Sequence, residues 1–230
     1  MNAPSRPKEF WRSRLKLPIY RMTDAARYAH LSSGTVSNWH KLSNKPTVLS
    51  RKDPGEALSY LQLIELAVVS AARKTGVSLA AIRRAREYCS KQLKSDFPFA
   101  EYRFKTDGKE LWLDFAEVVG REGRGKLIST SQQGQLGWTE IIGRLREFEY
   151  DRTFGLATRW HVAGRESPII IDPRVSFGAP AIEGIPTRLL KMRWQSGEPT
   201  HVIADDYDIP EPFILDALRF EGVAEHGGRG

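Results

Sequence analysis

The chain holds a single cysteine, Cys89, in 230 residues, so no disulfide can form within it. That cysteine sits in the helical pattern Leu79, Ile82, Ala85, Cys89 and Leu93, where a small buried apolar residue fits. No apolar run approaches the roughly 18 residues that a membrane helix needs, and the N-terminus lacks the apolar core of an export signal. The protein is therefore expected in the cytoplasm. The five histidines, His30, His40, His161, His201 and His226, are scattered, and neither a His-Glu-x-x-His run nor a cysteine pair occurs. "GREGRGK", Gly120 to Lys126, lacks both the strand before and the Ser or Thr after its lysine that a phosphate-cradling loop requires. No metal, no cofactor and no enzymatic activity are expected.

Acidic residues are also scarce at the front. The first 52 residues hold 11 Lys and Arg against 2 Asp and Glu. Residues 1–128 hold 24 against 13 and residues 129–230 hold 11 against 15, a front of +11 and a back of −4 behind the net +7. Such a front favours a polyanion, because each phosphate it meets releases condensed counterions. A solvated face would carry the same charge, so the motifs must decide.

Residues 1–18 carry Pro4, Pro7, Pro18 and five basic side chains and read as a basic arm. Thr23 offers a helix N-cap before Ala25, Ala26 and Ala29, and Ser32 and Ser33 offer another before Val36 and Trp39. Two short helices joined by a tight turn follow from that spacing. Asn44 to Gly55, with Pro46, Pro54 and Gly55 around Thr47 to Leu49, suits a small basic hairpin. Leu61, Ile64, Val68 and Ala71 mark one apolar helix face, and Ser78 caps a second helix through Leu93. Tyr102 to Phe115 alternates around Asp107-Gly108, a hairpin signature. Gly120 to Gly137 has no periodicity and reads as a linker. A helix over Thr139 to Glu149, one or two strands between Leu156 and Ile171, and three short helices opened near Leu189, Pro199-Thr200 and Pro210 complete the reading.

The opening helix pair has the chemistry of a DNA reader. A helix-turn-helix works when the first helix braces the second, leaving the second to present short polar side chains to base edges. Ala26, Leu31, Val36 and Trp39 can form the inner seam. Ser33, Thr35, Ser37, Asn38, His40 and Lys41 are left for the outer face, with Arg21 and Arg27 to grip phosphates. Lys45, Arg51 and Lys52 would arm the hairpin as a wing.

These residues, from Thr23 to Trp39, together with the basic loop and "SYLQLIELAVVSAARKTGVSLAAIRRARE", resemble the MerR-like winged helix-turn-helix. "DPRVSFGAPAIEGIPTRLL", "RWQSGE" and "ADDYDIPEPFILDALRFE" resemble a small helix-turn-helix domain long of unknown function. Joined in this order, they resemble the antitoxin of a type II toxin–antitoxin pair, of the VapB kind, over about Tyr20 to Phe220. Ser37 departs from the arginine usual in MerR-like recognition helices. The resemblance implies an α+β, mainly α fold: a winged helix-turn-helix with a β-hairpin, then a small three-helix domain preceded by a strand pair. It divides the chain into an arm (1–19), a DNA-binding domain (20–118), a linker (119–138), a connecting helix and strands (139–171), a toxin-binding domain (172–224) and a tail (225–230).

The resemblance further implies double-stranded operator DNA and a PIN-like ribonuclease toxin as partners, with a homodimer matching an inverted-repeat operator. Because PIN-type nucleases gather carboxylates around a divalent metal, a blocking partner should bring cations. Arg174, Arg188, Lys191, Arg193, Arg219 and Arg229 are those available in the acidic half, with Trp194, Phe213 and Phe220 as apolar anchors. Two alternatives stay open: a stand-alone MerR-like regulator responding to a small molecule, and a nuclease suggested only by the basic charge.

Overall fold

Capping serines or prolines stand at the starts of the helices that open at Ser33, Tyr60, Thr187, Thr200 and Glu211. The computed structural model describes residues 10–40, 48–49, 57–74, 77–100, 147–151 and 155–223. Over these residues the fold is mixed and mainly helical, with two small strand pairs. The chain divides into two compact units, residues 1–157 and 158–230.

In the first unit, helices α1 (Phe10–Arg14), α2 (Met22–Tyr28), α3 (Ser33–His40), α4 (Tyr60–Lys74) and α5 (Leu79–Leu93) follow in order. Tyr20 and Leu58 exchange backbone hydrogen bonds of 2.9 and 2.7 Å in an isolated antiparallel bridge, which brings the entry to α2 beside the entry to α4. Ser59 and Gln62 close a reciprocal cap on α4. The Ser59 N–H donates to Gln62 Oε1 at 2.8 Å, and the Gln62 N–H donates to Ser59 Oγ at 3.3 Å.

Helix α4 forms the floor of this unit. The sequence predicts one apolar face on it, whereas every residue from Tyr60 to Ala72 is buried. Leu63, Leu66 and Val69 fill the other side of the helix from Leu61, Ile64 and Val68, and a helix apolar on all sides packs inside. Its one buried charge, Glu65, is fully enclosed and lies 3.5 Å from the Arg86 guanidinium of α5.

Strands β1 (Phe148–Asp151) and β2 (Leu156–Trp160) pair. The four residues between them are too few for a parallel crossover. Phe148 and Glu149 therefore belong to a strand, which corrects the helix expected over Thr139 to Glu149 at its C-terminal end. The alternation Phe148, Tyr150 has the two-residue period of a strand, and Gly155 at φ 63 supplies the turn.

In the second unit a short ladder leads into three helices. Trp160 exchanges two 2.9 Å hydrogen bonds with Ile171, and Ile170 exchanges two with Ala181. Strands β3 (Ala181–Ile182) and β4 (Ile185–Pro186) then pair antiparallel, in the register Ala181 to Pro186 and Ile182 to Ile185. Glu183 and Gly184, at φ 51 and 85, make the two-residue turn of left-handed residues that such a hairpin demands. Helices α6 (Thr187–Gln195), α7 (Thr200–Tyr207) and α8 (Glu211–Phe220) each start directly after a proline, Pro186, Pro199 or Pro210. α8 packs on both α6 and α7, with Leu190, Ile203, Ile214 and Ala217 at most 0% exposed.

The strand pair and the three C-terminal helices thus occur in the expected order. The proposed wing at Asn44 to Gly55 is described only at Val48 and Leu49, both buried. The hairpin at Tyr102 to Phe115, the linker and the tail lie outside the described residues, as does most of the basic arm. No helix among the described residues is long and apolar enough to cross a membrane.

Candidate nucleic-acid interface

The turn between α2 and α3 is closed by backbone hydrogen bonds and by two serine side chains. α2 begins at Met22, one residue ahead of the Thr23 cap read from the sequence, and no side chain caps it. At its other end the Leu31 N–H donates to Ala26 O at 2.8 Å and the His30 N–H to Arg27 O at 3.0 Å, with His30 at φ 54. This is the six-to-one, five-to-two closure of a helix ending in a left-handed residue. Ser70 of α4 donates to Ala29 O at 2.7 Å, tying the turn to the floor. Ser32 then caps α3, its Oγ accepting the Thr35 N–H at 3.1 Å.

On this frame α3 turns Val36, Trp39 and His40 inward. Ala25, Ala26 and Ala29 of α2 are buried, and their small side chains let the helices approach closely. Asn38 is exposed on the opposite side, and Ser33, Thr35 and Ser37 are half-buried on the flanks. Arg21 is exposed at the foot of α2, and Arg27 is half-buried with its guanidinium carbon 4.9 Å from the Tyr28 ring centroid. The sequence reading is corrected at His40, which is 8% exposed rather than outward. It follows Val36 by four residues and so shares its stripe. Thr35 is engaged in the cap, its hydroxyl 2.9 Å from Ser32 Oγ. Lys41, Lys45, Arg51 and Lys52 lie outside the described residues.

Four of the cations proposed to meet a toxin, Arg174, Lys191, Arg193 and Arg219, are bonded within their own unit. Arg193 clasps Glu198 with Nε at 3.0 and 2.9 Å from the two carboxylate oxygens, also bonds it through the terminal nitrogen, and reaches Asp206 at 2.5 Å. Its guanidinium lies 5.2 Å from the Tyr207 ring centroid. Lys191 donates to Glu221 O at 2.8 Å, and Arg219 pairs with Asp216 at 2.7 Å. Arg174 forks onto Asp172. Arg188 is exposed, Trp194 is 37% exposed, Phe213 and Phe220 are half-buried, and Arg229 lies outside the described residues. Arg193 and Lys191 therefore hold the helices of this unit together, because their acidic and carbonyl partners come from neighbouring turns of the same fold.

The Arg193 clasp gives a pH prediction. Hydrogen bonding to Arg193, reinforced by its charge, holds the Glu198 carboxyl below its ordinary value of 4.5. The folded chain thus binds fewer protons at this site than the unfolded chain on the acid side of neutrality, so the clasp stabilises fully above about pH 4.5 and its contribution fades as pH falls through the lowered value. Thermal melts followed by circular dichroism should show wild type above Glu198→Gln near neutrality, with the gap closing as pH falls below about 4.5. A gap independent of pH would contradict the assignment.

The sequence reading passed over the most exposed large apolar side chain among the described residues, Phe177 at 73%, together with Met192 at 60% and Leu189 at 38%. A phenylalanine without periodic apolar neighbours inside the turn-rich run "PRVSFGAP" was the available signal. Among the described residues no group of three or more His, Cys, Asp or Glu could hold a metal ion.

No family model matches the chain, and no curated protein matches it. Among solved structures, the X-ray crystal structure of Rv2018 from Mycobacterium tuberculosis is similar, with a TM-score of 0.67 and 21% identity over 89% of this chain and 99% of that chain. At that identity the likeness shows a common fold.

Proposed function

We propose that this chain is a DNA-binding antitoxin that represses its own operator and neutralises a PIN-like ribonuclease. The observation that carries the first half is the α2–α3 pair. α3 buries Val36, Trp39 and His40 and leaves Asn38 exposed next to the half-buried Ser37, in the portion of the chain where basic residues outnumber acidic ones 24 to 13. Short polar side chains on a braced helix suit base edges, and Arg21 and Arg27 suit phosphates. One such helix reads few bases, so the active form is a dimer on an inverted repeat. The second half rests on the acidic C-terminal unit and on the resemblance of its sequence to antitoxin domains.

Fluorescence anisotropy with labelled DNA from upstream of the chain's own reading frame tests the proposal. Asn38→Ala should weaken operator binding by about 1–3 kcal/mol and leave random duplex nearly unchanged. Arg27→Ala should weaken both duplexes alike and reduce the salt slope by about one. Failure of the wild-type chain to bind its upstream DNA in dilute buffer, alone or with its nuclease, would overturn the reading.

A further inference from the structure

Two large apolar side chains of the first unit face solvent, and they stand two residues apart. Leu17 is 50% exposed and Ile19 43%, with Pro18 exposed between them. No other large hydrophobic side chain described in this unit is exposed to that degree. The residues that bracket them turn inward, Leu15 at 3% and Tyr20 at 5%. The backbone is held at both ends. The Leu17 N–H donates to Arg14 O at 3.0 Å, closing the turn after α1, and the Ile19 and Tyr20 N–H groups donate to Leu58 O at 3.1 and 2.9 Å. The Leu61 N–H donates to Leu15 O at 3.3 Å, so the start of α4 braces both ends. Pro18 has a fixed φ and no N–H to satisfy. Residues 16–19 thus form a short, preset ridge.

Cations stand at both ends of this ridge. From Phe10 to Thr23 the sequence holds Arg12, Arg14, Lys16 and Arg21 and no Asp or Glu. Lys16 and Arg21 are exposed, and neither pairs with a carboxylate among the described residues. Lys16 Nζ lies 5.6 Å from the Phe97 ring centroid, a contact that orients the ammonium without neutralising it. Arg21 directly precedes α2, so the ridge runs straight into the α2–α3 pair. Aliphatic side chains between two cations suit a DNA minor groove, where Leu, Ile and Pro enter base steps as wedges while Lys and Arg hold the backbone. Lys16 and Arg21 lie at most about 17 Å apart along the chain, enough to put one on each side of a groove about 6 Å wide. A chain that leads into the first helix of a helix-turn-helix is in position to reach the minor groove beside the one its second helix enters. A second copy is a poorer occupant, because a two-fold axis would set Lys16 and Arg21 against their own images.

We infer that Leu17, Pro18 and Ile19 form a wedge that enters the minor groove of the operator and kinks it, with Lys16 and Arg21 on the flanking phosphates. This rests on the DNA-binding half of the proposed function and adds a second groove to the one α3 reads. Sequence preference arises there without base hydrogen bonds, because pyrimidine–purine steps unstack at the lowest cost.

The test uses the full chain and duplex DNA from upstream of its own reading frame, with donor and acceptor dyes on the two duplex ends. Wild type should bend the duplex by at least about 20°. Leu17→Ala combined with Ile19→Ala should remove most of the bend and weaken binding about tenfold, with an unchanged urea midpoint because both side chains are exposed. Leu17→Met keeps an aliphatic wedge and should keep the bend. Lys16→Gln combined with Arg21→Gln should weaken operator and random duplex alike and reduce the salt slope by about two. A straight duplex in the wild-type complex, or a bend unchanged in the double alanine variant, overturns the wedge and leaves DNA reading by α3 standing. No binding of the upstream duplex by wild type overturns both. If the double alanine variant bends the operator as wild type does but loses self-association, nuclease binding or binding to anionic phospholipid vesicles, the ridge belongs to that occupant and the proposal falls.

Discussion

Trp39→Ala is expected to destabilise the first unit by about 3–5 kcal/mol and to abolish operator binding at the same time. Trp39 is 7% exposed and occupies the inward stripe of α3 with Val36 and His40. α3 has little helix-forming capacity of its own: Ser33, Gly34, Thr35, Val36, Ser37 and Asn38 are all weak helix formers. Its helicity depends on packing, and the indole supplies the largest share of the buried stripe. Urea unfolding should therefore separate two adjacent positions. Trp39→Ala loses stability and binding together, whereas Asn38→Ala loses binding and keeps its unfolding midpoint. Equal midpoints for the two variants would place the inner and outer faces of α3 wrongly.

The second large effect lies in the floor beneath it. Arg86→Met withdraws the cation 3.5 Å from Glu65, a carboxylate with no solvent exposure. It also removes the 2.6 Å donor to Asp96 O. Removing one partner of a buried ion pair costs about 3–5 kcal/mol, because the remaining charge keeps its desolvation penalty. Replacing both partners, as Glu65→Leu with Arg86→Met, should recover most of that loss, since apolar groups of similar volume carry no such penalty. A urea midpoint lower in the double variant than in Arg86→Met would show that Glu65 is stabilised chiefly by groups other than Arg86.

The C-terminal helices were legible because their punctuation is local. Pro199, Pro210 and Gly197 break the chain where α6 ends and where α7 and α8 begin, whatever surrounds them. The apolar stripe of α4 was legible as a helix but its complete burial was not, because one helical face is enough to explain the period and the second is filled only when neighbours arrive. Ser59 and Gln62 spell a capping box in plain sequence, yet its significance shows only once Tyr20 and Leu58 pair.

The candidate site divides in the same way. Asn38 and Val36 fall on the faces that spacing assigns, while His40 was placed by polarity when its spacing from Val36 pointed inward. Arg193 was counted among available cations because its partner Glu198 lies across a turn that no periodicity joins. Phe177 sits in a loop that Ser176 bonds to Gly184, a link between two turns that share no periodicity.

The closure of the α2–α3 turn constrains how this surface can change over time. The turn from Ala29 to Ser32 is bonded to α2 at Ala26 and Arg27, to α4 at Ser70, and to α3 at Thr35. One inserted residue there would rotate α3 by about 100° and carry Asn38 toward the interior. Substitutions at Ser33, Ser37 and Asn38 leave those bonds intact. Under the proposed DNA-binding reading, related chains can thus drift in the sequence they recognise while the count of turn residues stays frozen.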